Sequence, residues 1–186
     1  MPELIVVAGP NGSGKSTIAR GLLPAGVPYL NADDIARELR AGGAEVGVDV
    51  SAGRNLLERL DTLANAGTDC AVETTLSGRA LAGRVAKLRE RGWRVRLFFL
   101  YLPSPDMAVA RVRQRVRSGG HSIPEPTIRR RYAGGLRGFY ELYQPLADEW
   151  VVLDNTTIEA PSVIAYGTTP QPTLWKVMRE CYEECR

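Results

Sequence analysis

Residues Gly9-Pro10-Asn11-Gly12-Ser13-Gly14-Lys15-Ser16 follow the pattern G-x-x-x-x-G-K-[S/T]. Glycines let a loop wrap so that successive backbone N–H groups converge on anionic oxygens. Lys15 adds a flexible positive charge that reaches β- and γ-phosphates, and the Ser16 hydroxyl is a suitable ligand for Mg²⁺. A helix starting near Lys15 would aim its positive dipole end at the same anions. The stretch Pro10, Asn11, Gly12, Ser13, Gly14, Lys15, Ser16 and Thr17 is therefore the expected nucleotide cradle. Its context agrees. Leu4-Ile5-Val6-Val7-Ala8 reads as a buried parallel strand, and Thr17 to Leu23 as a helix that stops at Pro24.

Acidic residues recur where strands should end. Val27 to Asn31 reads as a second strand that runs into Asp33-Asp34, followed by helical spacing at Ile35, Ala36 and Leu39. One reading of the pair is a helix N-terminus complemented by carboxylates. The other is a general base at the strand's mouth. Arg40 to Val50 reads as a Gly-rich loop. Leu56, Leu60 and Leu63 mark a helix, and Thr68 to Val72 a third strand that delivers Glu73 to its carboxyl end. Open α/β sheets place ligand chemistry there, so Glu73 is a candidate for holding a metal-bound water or a substrate hydroxyl.

Farther along, Leu81, Val85 and Leu88 mark a helix, and Val95 to Leu102 a long central strand. Ser104-Pro105-Asp106 caps the next helix, with Val109, Val112 and Val116 as its buried stripe. That helix carries Arg111, Arg113, Arg115 and Arg117. The break Ser118-Gly119-Gly120-His121 follows. Arg129-Arg130-Arg131 then opens a helix with Ile128, Tyr132, Leu136, Phe139 and Tyr143 on its apolar side. Two arginine-rich helices joined by glycines suggest a lid over phosphates at about 111–131, since guanidinium forks match phosphoryl oxygens. His121 reads as a lid residue. Trp150 to Thr156 reads as a fifth strand, which puts Asp154 and Asn155 near a nucleotide base or at a cap. Ser162 to Tyr166 is a candidate edge strand, and Leu174, Val177, Met178 and Tyr182 mark a terminal helix.

Composition narrows the class. A chain of 186 residues suits one domain with a single core. A net charge of +3 is too small to argue for nucleic acid, and no apolar run approaches the ~20 residues of a membrane span. The start lacks a basic region followed by an apolar one, so no signal peptide is expected. Three cysteines, Cys70, Cys181 and Cys185, form an odd, sparse set that fits reduced thiols in the cytoplasm. With His121 the lone histidine, a zinc cluster is not expected.

Taken together, several motifs resemble the zeta-toxin-like family of small kinases, in its stand-alone branch. They are the phosphate loop, Asn31-Ala32-Asp33-Asp34, Glu73-Thr74-Thr75-Leu76-Ser77-Gly78, Gly119-Gly120-His121 with Arg129-Arg130-Arg131-Tyr132, and Asp154-Asn155-Thr156. The resemblance runs from about residue 3 to residue 157. It implies a P-loop kinase fold, ATP with Mg²⁺, Asp33 as the base, substrate contacts from Glu73 and Thr75, and lid arginines around the γ-phosphate. Zeta toxins phosphorylate UDP-N-acetylglucosamine and are restrained by antitoxins.

The resulting expectation is an α/β fold with a mainly parallel five-stranded sheet, helices on both faces and a helical lid. ATP and Mg²⁺ are the expected cofactors, with Ser16 and Glu73 at the metal. Arg111, Arg115, Arg131 and Asn155 are the expected nucleotide contacts, and Lys15, Asp33 and Arg131 the catalytic set. The expected partners are a small-molecule hydroxyl acceptor and an antitoxin protein, with no nucleic acid and no membrane. The enzyme runner-up is a kinase for another metabolite, such as a nucleoside or a sugar acid, and a nucleotide-driven switch or partner-binding ATPase is the competing class. It lacks the guanine-reading N-K-x-D pattern that would favour it.

Overall fold

The computed structural model describes residues 1–157 and 161–168. The terminal helix expected around residues 174–182, with Cys181 and Cys185, lies outside them. Strand β1 (Glu3–Ala8) leads into helix α1 (Lys15–Leu22). The chain continues through β2 (Tyr29–Leu30), α2 (Ala32–Ala41), α3 (Val48–Asn65), β3 (Cys70–Thr74), α4 (Ala80–Glu90), β4 (Arg94–Tyr101), α5 (Pro105–Arg117) and α6 (Glu125–Gly138). A π-helical turn and a 3₁₀ turn over 139–146 lead into β5 (Glu149–Asp154), and β6 (Ser162–Gly167) follows.

The sheet order is β2-β3-β1-β4-β5-β6. Five strands are parallel, and β6 pairs antiparallel with β5. The sheet thus has six strands rather than five, because the candidate edge strand forms. Central β1 is apolar on both faces. Leu4, Val6 and Ala8 enter a large cluster with residues of α2 to α6, while Ile5 and Val7 meet Ile18 and Ala19 of α1. That double burial is why the strand reads as an unbroken apolar run.

Local differences from the sequence reading have physical causes. The Arg40 to Val50 loop shrinks to residues 42–47, because Gly47 turns left-handed at φ 67° and α3 begins at Val48, whose side chain is buried. Val116 is 37% exposed and leaves the α5 stripe to Ala108, Val109 and Val112. α6 opens at Glu125 rather than at the arginines, with Pro126 in its first turn, where a missing N–H costs nothing. β3 runs to Thr74, so Glu73 lies within the strand rather than beyond it.

Helix α6 is seated by glycines. A Cβ on Gly135 would collide with the carbonyl oxygen of Thr75, and one on Gly138 with that of Leu76. The turn at Thr75-Leu76 therefore lies flush on α6, with Leu76 buried at φ 56° and its N–H bonded to Thr74 Oγ1 at 3.0 Å. Tyr132 ties the same helix to the residue just after β4 by donating to the Leu102 carbonyl at 2.7 Å. Only residues 118–124 join the two arginine-bearing helices.

Alanine favours helices over glycine by ~1 kcal/mol, yet overpacking costs ~1–3 kcal/mol. Gly135→Ala and Gly138→Ala should therefore each lower unfolding free energy in urea titrations. Gly83→Ala on the exposed side of α4, where a Cβ meets nothing within 4 Å, should raise it by ~0.5–1 kcal/mol. Equal effects at all three positions would contradict the close seating.

Candidate active site

The phosphate loop is fixed from two sides. Gly9 has φ 145°, and a Cβ there would lie 2.5 Å from the Leu100 carbonyl of β4. Gly12 has φ 79°, and its Cβ would lie 3.0 Å from both the Ala108 carbonyl and Arg111 Cβ. Glycine at these two positions therefore meets both a left-handed backbone and a close approach. α5 lies directly over the loop as a result, which is what brings its arginines to the site. From the far side, Asn155 Nδ2 donates to the Ser13 carbonyl at 2.7 Å. The residue after β5 thus braces the loop backbone.

Lys15 is buried, with Nζ donating to the Pro10 carbonyl at 3.0 Å and 3.7 Å from Glu73 Oε1. Burial pulls its pKa below the ordinary lysine value, and Glu73 and then Asp33 oppose that shift. A buried ammonium with this environment favours an additional anion beside it. Glu73 Oε2 accepts from Ser16 Oγ at 2.7 Å, Asn31 Nδ2 at 3.1 Å and the Tyr29 hydroxyl. The two residues expected at the metal, Ser16 and Glu73, are thus side by side. Hard oxygen donors of this kind suit Mg²⁺.

Asp33 and Asp34 part company, although they are consecutive. Asn31 caps α2 by accepting from the Asp33 N–H at 2.8 Å. The Asp33 side chain is half exposed, lines the cleft beside Lys15 and stands 4.0 Å from Arg115. Asp34 pairs with Arg37 at 2.8 Å on the outer face of α2.

Two cavities flank the loop. One, of about 290 Å³, is lined by Asn11, Lys15, Asp33, Glu73, Thr75 and Arg131, among others. The other, of about 440 Å³, is lined by Gly14, Thr17, Arg111 and Asn155, among others. Gly12 and Arg115 border both. The arginines are thereby sorted: Arg111 faces the second cavity, Arg115 stands between the two, and Arg131 faces the first. Arg115 also donates to the His121 carbonyl at 3.0 Å, and its buried Nε has no hydrogen-bond partner. Arg111 donates to the Thr156 carbonyl at 2.8 Å. Arg113 and Arg129 are absorbed by Glu125 and Asp106. Asp154 turns back onto its own chain by accepting from the Thr156 N–H at 2.7 Å. Thr75 Oγ1 is 2.8 Å from Ser77 Oγ at the mouth of the first cavity.

Sequence reasoning assigned no role to Tyr29 as a partner of Glu73. The signal was present, since Tyr29 and Asn31 are two apart on an extended segment and share a face. The β2–β3 register of Leu30 with Val72 then sets that face beside Glu73.

Burial and the adjacent Glu73 hold the Tyr29 phenol well above the usual tyrosine pKa. A hydrogen bond to a charged group contributes ~1.5–3 kcal/mol, less here because Tyr29 is only part-buried. Tyr29→Phe should therefore cost ~1–2 kcal/mol in urea denaturation at pH 7. A group whose pKa rises on folding stabilises below its unfolded value, ~10 for tyrosine, and loses that contribution above it. The gap between wild type and Tyr29→Phe should accordingly narrow as pH rises past ~10. A gap independent of pH would separate Tyr29 from Glu73.

Comparison with known proteins places this geometry. The family model described as AAA domain matches residues 4–133. An uncharacterized protein of Haemophilus influenzae is 30% identical over 130 residues, which span 70% of this chain and 92% of that protein. The fold is similar, at TM-score 0.69 and 16% identity, to a chain of the PezAT chromosomal toxin–antitoxin system of Streptococcus pneumoniae, covering 98% of this chain and 79% of that one. It is equally similar, at TM-score 0.69 and 18% identity, to a chain of AvrRxo1-ORF1:-ORF2 with ATP, covering 98% and 64%. These likenesses extend the sheet order and helix placement described above to solved P-loop folds. With the phosphate loop, β4 beneath it and the residues named at the first cavity inside the matched span, the chain belongs to the AAA domain family.

Proposed function

We propose that this protein is an ATP-dependent phosphotransferase that moves the γ-phosphoryl group of ATP to a hydroxyl of a small molecule. The observation that carries this reading is the pair of cavities meeting at Gly12 and Arg115. The cavity beside Thr17, Arg111 and Asn155 would take the nucleotide. The cleft holding Asp33 would take the acceptor. A phosphoryl group passing between them would cross beneath Lys15 and Arg115, where two fixed cations offset the charge that develops on transfer. Asp33 would accept the acceptor's hydroxyl proton, and Arg131 would approach the transferring group from the acceptor side. Ser16 and Glu73 would hold Mg²⁺, which supplies charge neutralisation on the phosphate oxygens. A nucleotide-driven switch has no use for a second cleft with a carboxylate at its end, and this favours the kinase.

Within that class, the likeness to zeta toxins and the toxin–antitoxin structural neighbour make UDP-N-acetylglucosamine the first acceptor to test and an antitoxin the first partner to seek. Thr75 and Glu73 would touch the acceptor. The chain would act as one domain with residues 111–131 as its lid, in the cytoplasm where ATP is abundant. Among the described residues, no helix is long and apolar enough to cross a membrane.

Two substitutions test the assignment. Lys15→Ala should abolish transfer in a protein that still folds, as judged by circular dichroism. Asp33→Asn should lower kcat by ~10²–10⁴ with ATP affinity intact, the usual contribution of a positioned base. Asp34→Asn should lose only an exposed ion pair, ~0–1 kcal/mol of stability, with turnover close to wild type. Equal kinetic losses at both aspartates would remove the distinction on which the base assignment rests.

A further inference from the structure

The acceptor cleft has one wall that the proposed phosphoryl transfer does not use. Helix α3 presents Ala52, Gly53, Leu56 and Leu57 to the cleft, with Asp49, ion-paired to Arg40 at 3.0 Å, in the first turn of the same helix, and Leu81 of α4 lines it as well. The polar groups Asp33, Glu73 and Thr75 gather toward the phosphate loop. An occupant of this cleft would therefore meet chemistry at one end and hydrocarbon along its side.

Gly53 is the informative residue. It lies in the interior of an 18-residue helix, where glycine costs stability relative to alanine. Its backbone is not left-handed, and a Cβ built on it meets nothing within 4 Å. Neither conformation nor packing against the protein accounts for it. The space above it is cleft. The α6 glycines differ, since protein backbone fills the place of their missing side chains, and the helix glycines Gly21 and Gly83, equally open, do not line the cleft. A second observation points to a ligand in the same cleft. Asn11, 7% exposed and lining it, has a buried Oδ1 with no hydrogen-bond donor. Buried acceptors of this kind are usually satisfied, and a bound molecule carrying O–H or N–H groups would do so.

We propose that the α3 wall binds the apolar face of a ring, and that Gly53 is the specificity-determining residue that leaves room for it. The acceptor class is then a hydroxyl compound bearing a flat ring beside its reactive end, rather than an open-chain polyol. This rests on the reading of the cleft as the acceptor site. Leu57, only part-buried, contributes contact area to the same ring, and Gly53 sets how closely the ring approaches the helix.

The test compares matched probes: ribitol against uridine, and sorbitol against 4-nitrophenyl glucoside. Binding is measured by calorimetry with a non-hydrolysable ATP analogue and Mg²⁺ present, and transfer is measured separately by ATP consumption. The ring-bearing member of at least one pair should bind about tenfold or more tighter than its partner, a difference of the size that apolar pocket contacts supply. Gly53→Leu should weaken that binding by a similar factor while the affinity for the ATP analogue stays within about twofold. Gly53→Ala guards against misfolding: it should raise Tm by about 2–4 °C through helix propensity and still weaken the ring-bearing probe. Leu57→Gln should weaken the same probe. Ring-bearing binding that Gly53→Leu abolishes would uphold the ring site, and ATP consumption absent both with these probes and with UDP-N-acetylglucosamine would overturn the phosphotransferase reading. Transfer to ribitol or sorbitol equal to that of their ring-bearing partners, failure of every ring-bearing probe to bind, or indifference of binding to Gly53→Leu would overturn the inference and leave the phosphotransferase reading standing.

Discussion

The carboxylate of Glu73 is the point to which the site is tied. It collects Ser16 from the first turn of α1, Tyr29 and Asn31 from the β2 edge, and the Lys15 ammonium alongside. The buried Lys15 and Asn31 would carry an unmet electrostatic or hydrogen-bonding demand without it. A part-buried carboxylate with several donors forms a network whose members orient one another, and losing one member strands the rest. The arrangement explains why a two-residue strand as short as β2 matters. It sets Asn31 to cap α2, and the cap in turn places Asp33 at the cleft and Asp34 on the outside.

Much of this layout could be read from the residues alone. The phosphate loop, the strand before it and the helix after it follow from apolar runs and glycine placement, and the structure has them where the pattern put them. The turn from Glu73 into α4 and the arginines of α5 were legible for the same reason: strands end where polar chemistry begins. What the residues did not reveal depends on distance in space. Nothing in the order of the chain says that Gly12 faces Arg111 across a helix contact, or that Asn155 reaches back to Ser13. The sorting of Arg111, Arg115 and Arg131 between two cavities is of this kind. They were grouped by charge, and geometry divides them. The early start of α3 was missed because its only announcement is a left-handed Gly47 within a glycine-rich stretch.

Helix α6 shows how a site can be held without polar contacts. Its glycines let the backbone of the Thr75-Leu76 turn approach as no side chain would permit. Arg131 and Thr75 are therefore placed relative to one another by two backbones in contact, not by their own flexible side chains. On the sheet side, Phe139 just beyond α6 packs against Phe99 at 4.8 Å and edge-on to Trp150 at 6.2 Å. The C-terminal end of α6 is thus carried on the sheet, while Arg129, Arg130 and Arg131 lie toward its other end, next to the short connection from α5.

The sheet order also dictates a sequence of events in time. β1 is made first, yet its neighbours are β3 and β4, with Leu4 opposite Cys70 on one side and Val95 on the other. A ribosome adding ~5–20 residues per second leaves this strand without its first parallel partner for on the order of several seconds. During that interval the most apolar strand of the sheet has only α1 and its own loop for company. Contacts of such long sequence separation are slow to form in any case, because loop-closure entropy must be met first. The phosphate loop therefore acquires its shape late, when β4 arrives beneath Gly9 and α5 beside Gly12, and a nascent chain cannot hold nucleotide there before more than half of it has been made.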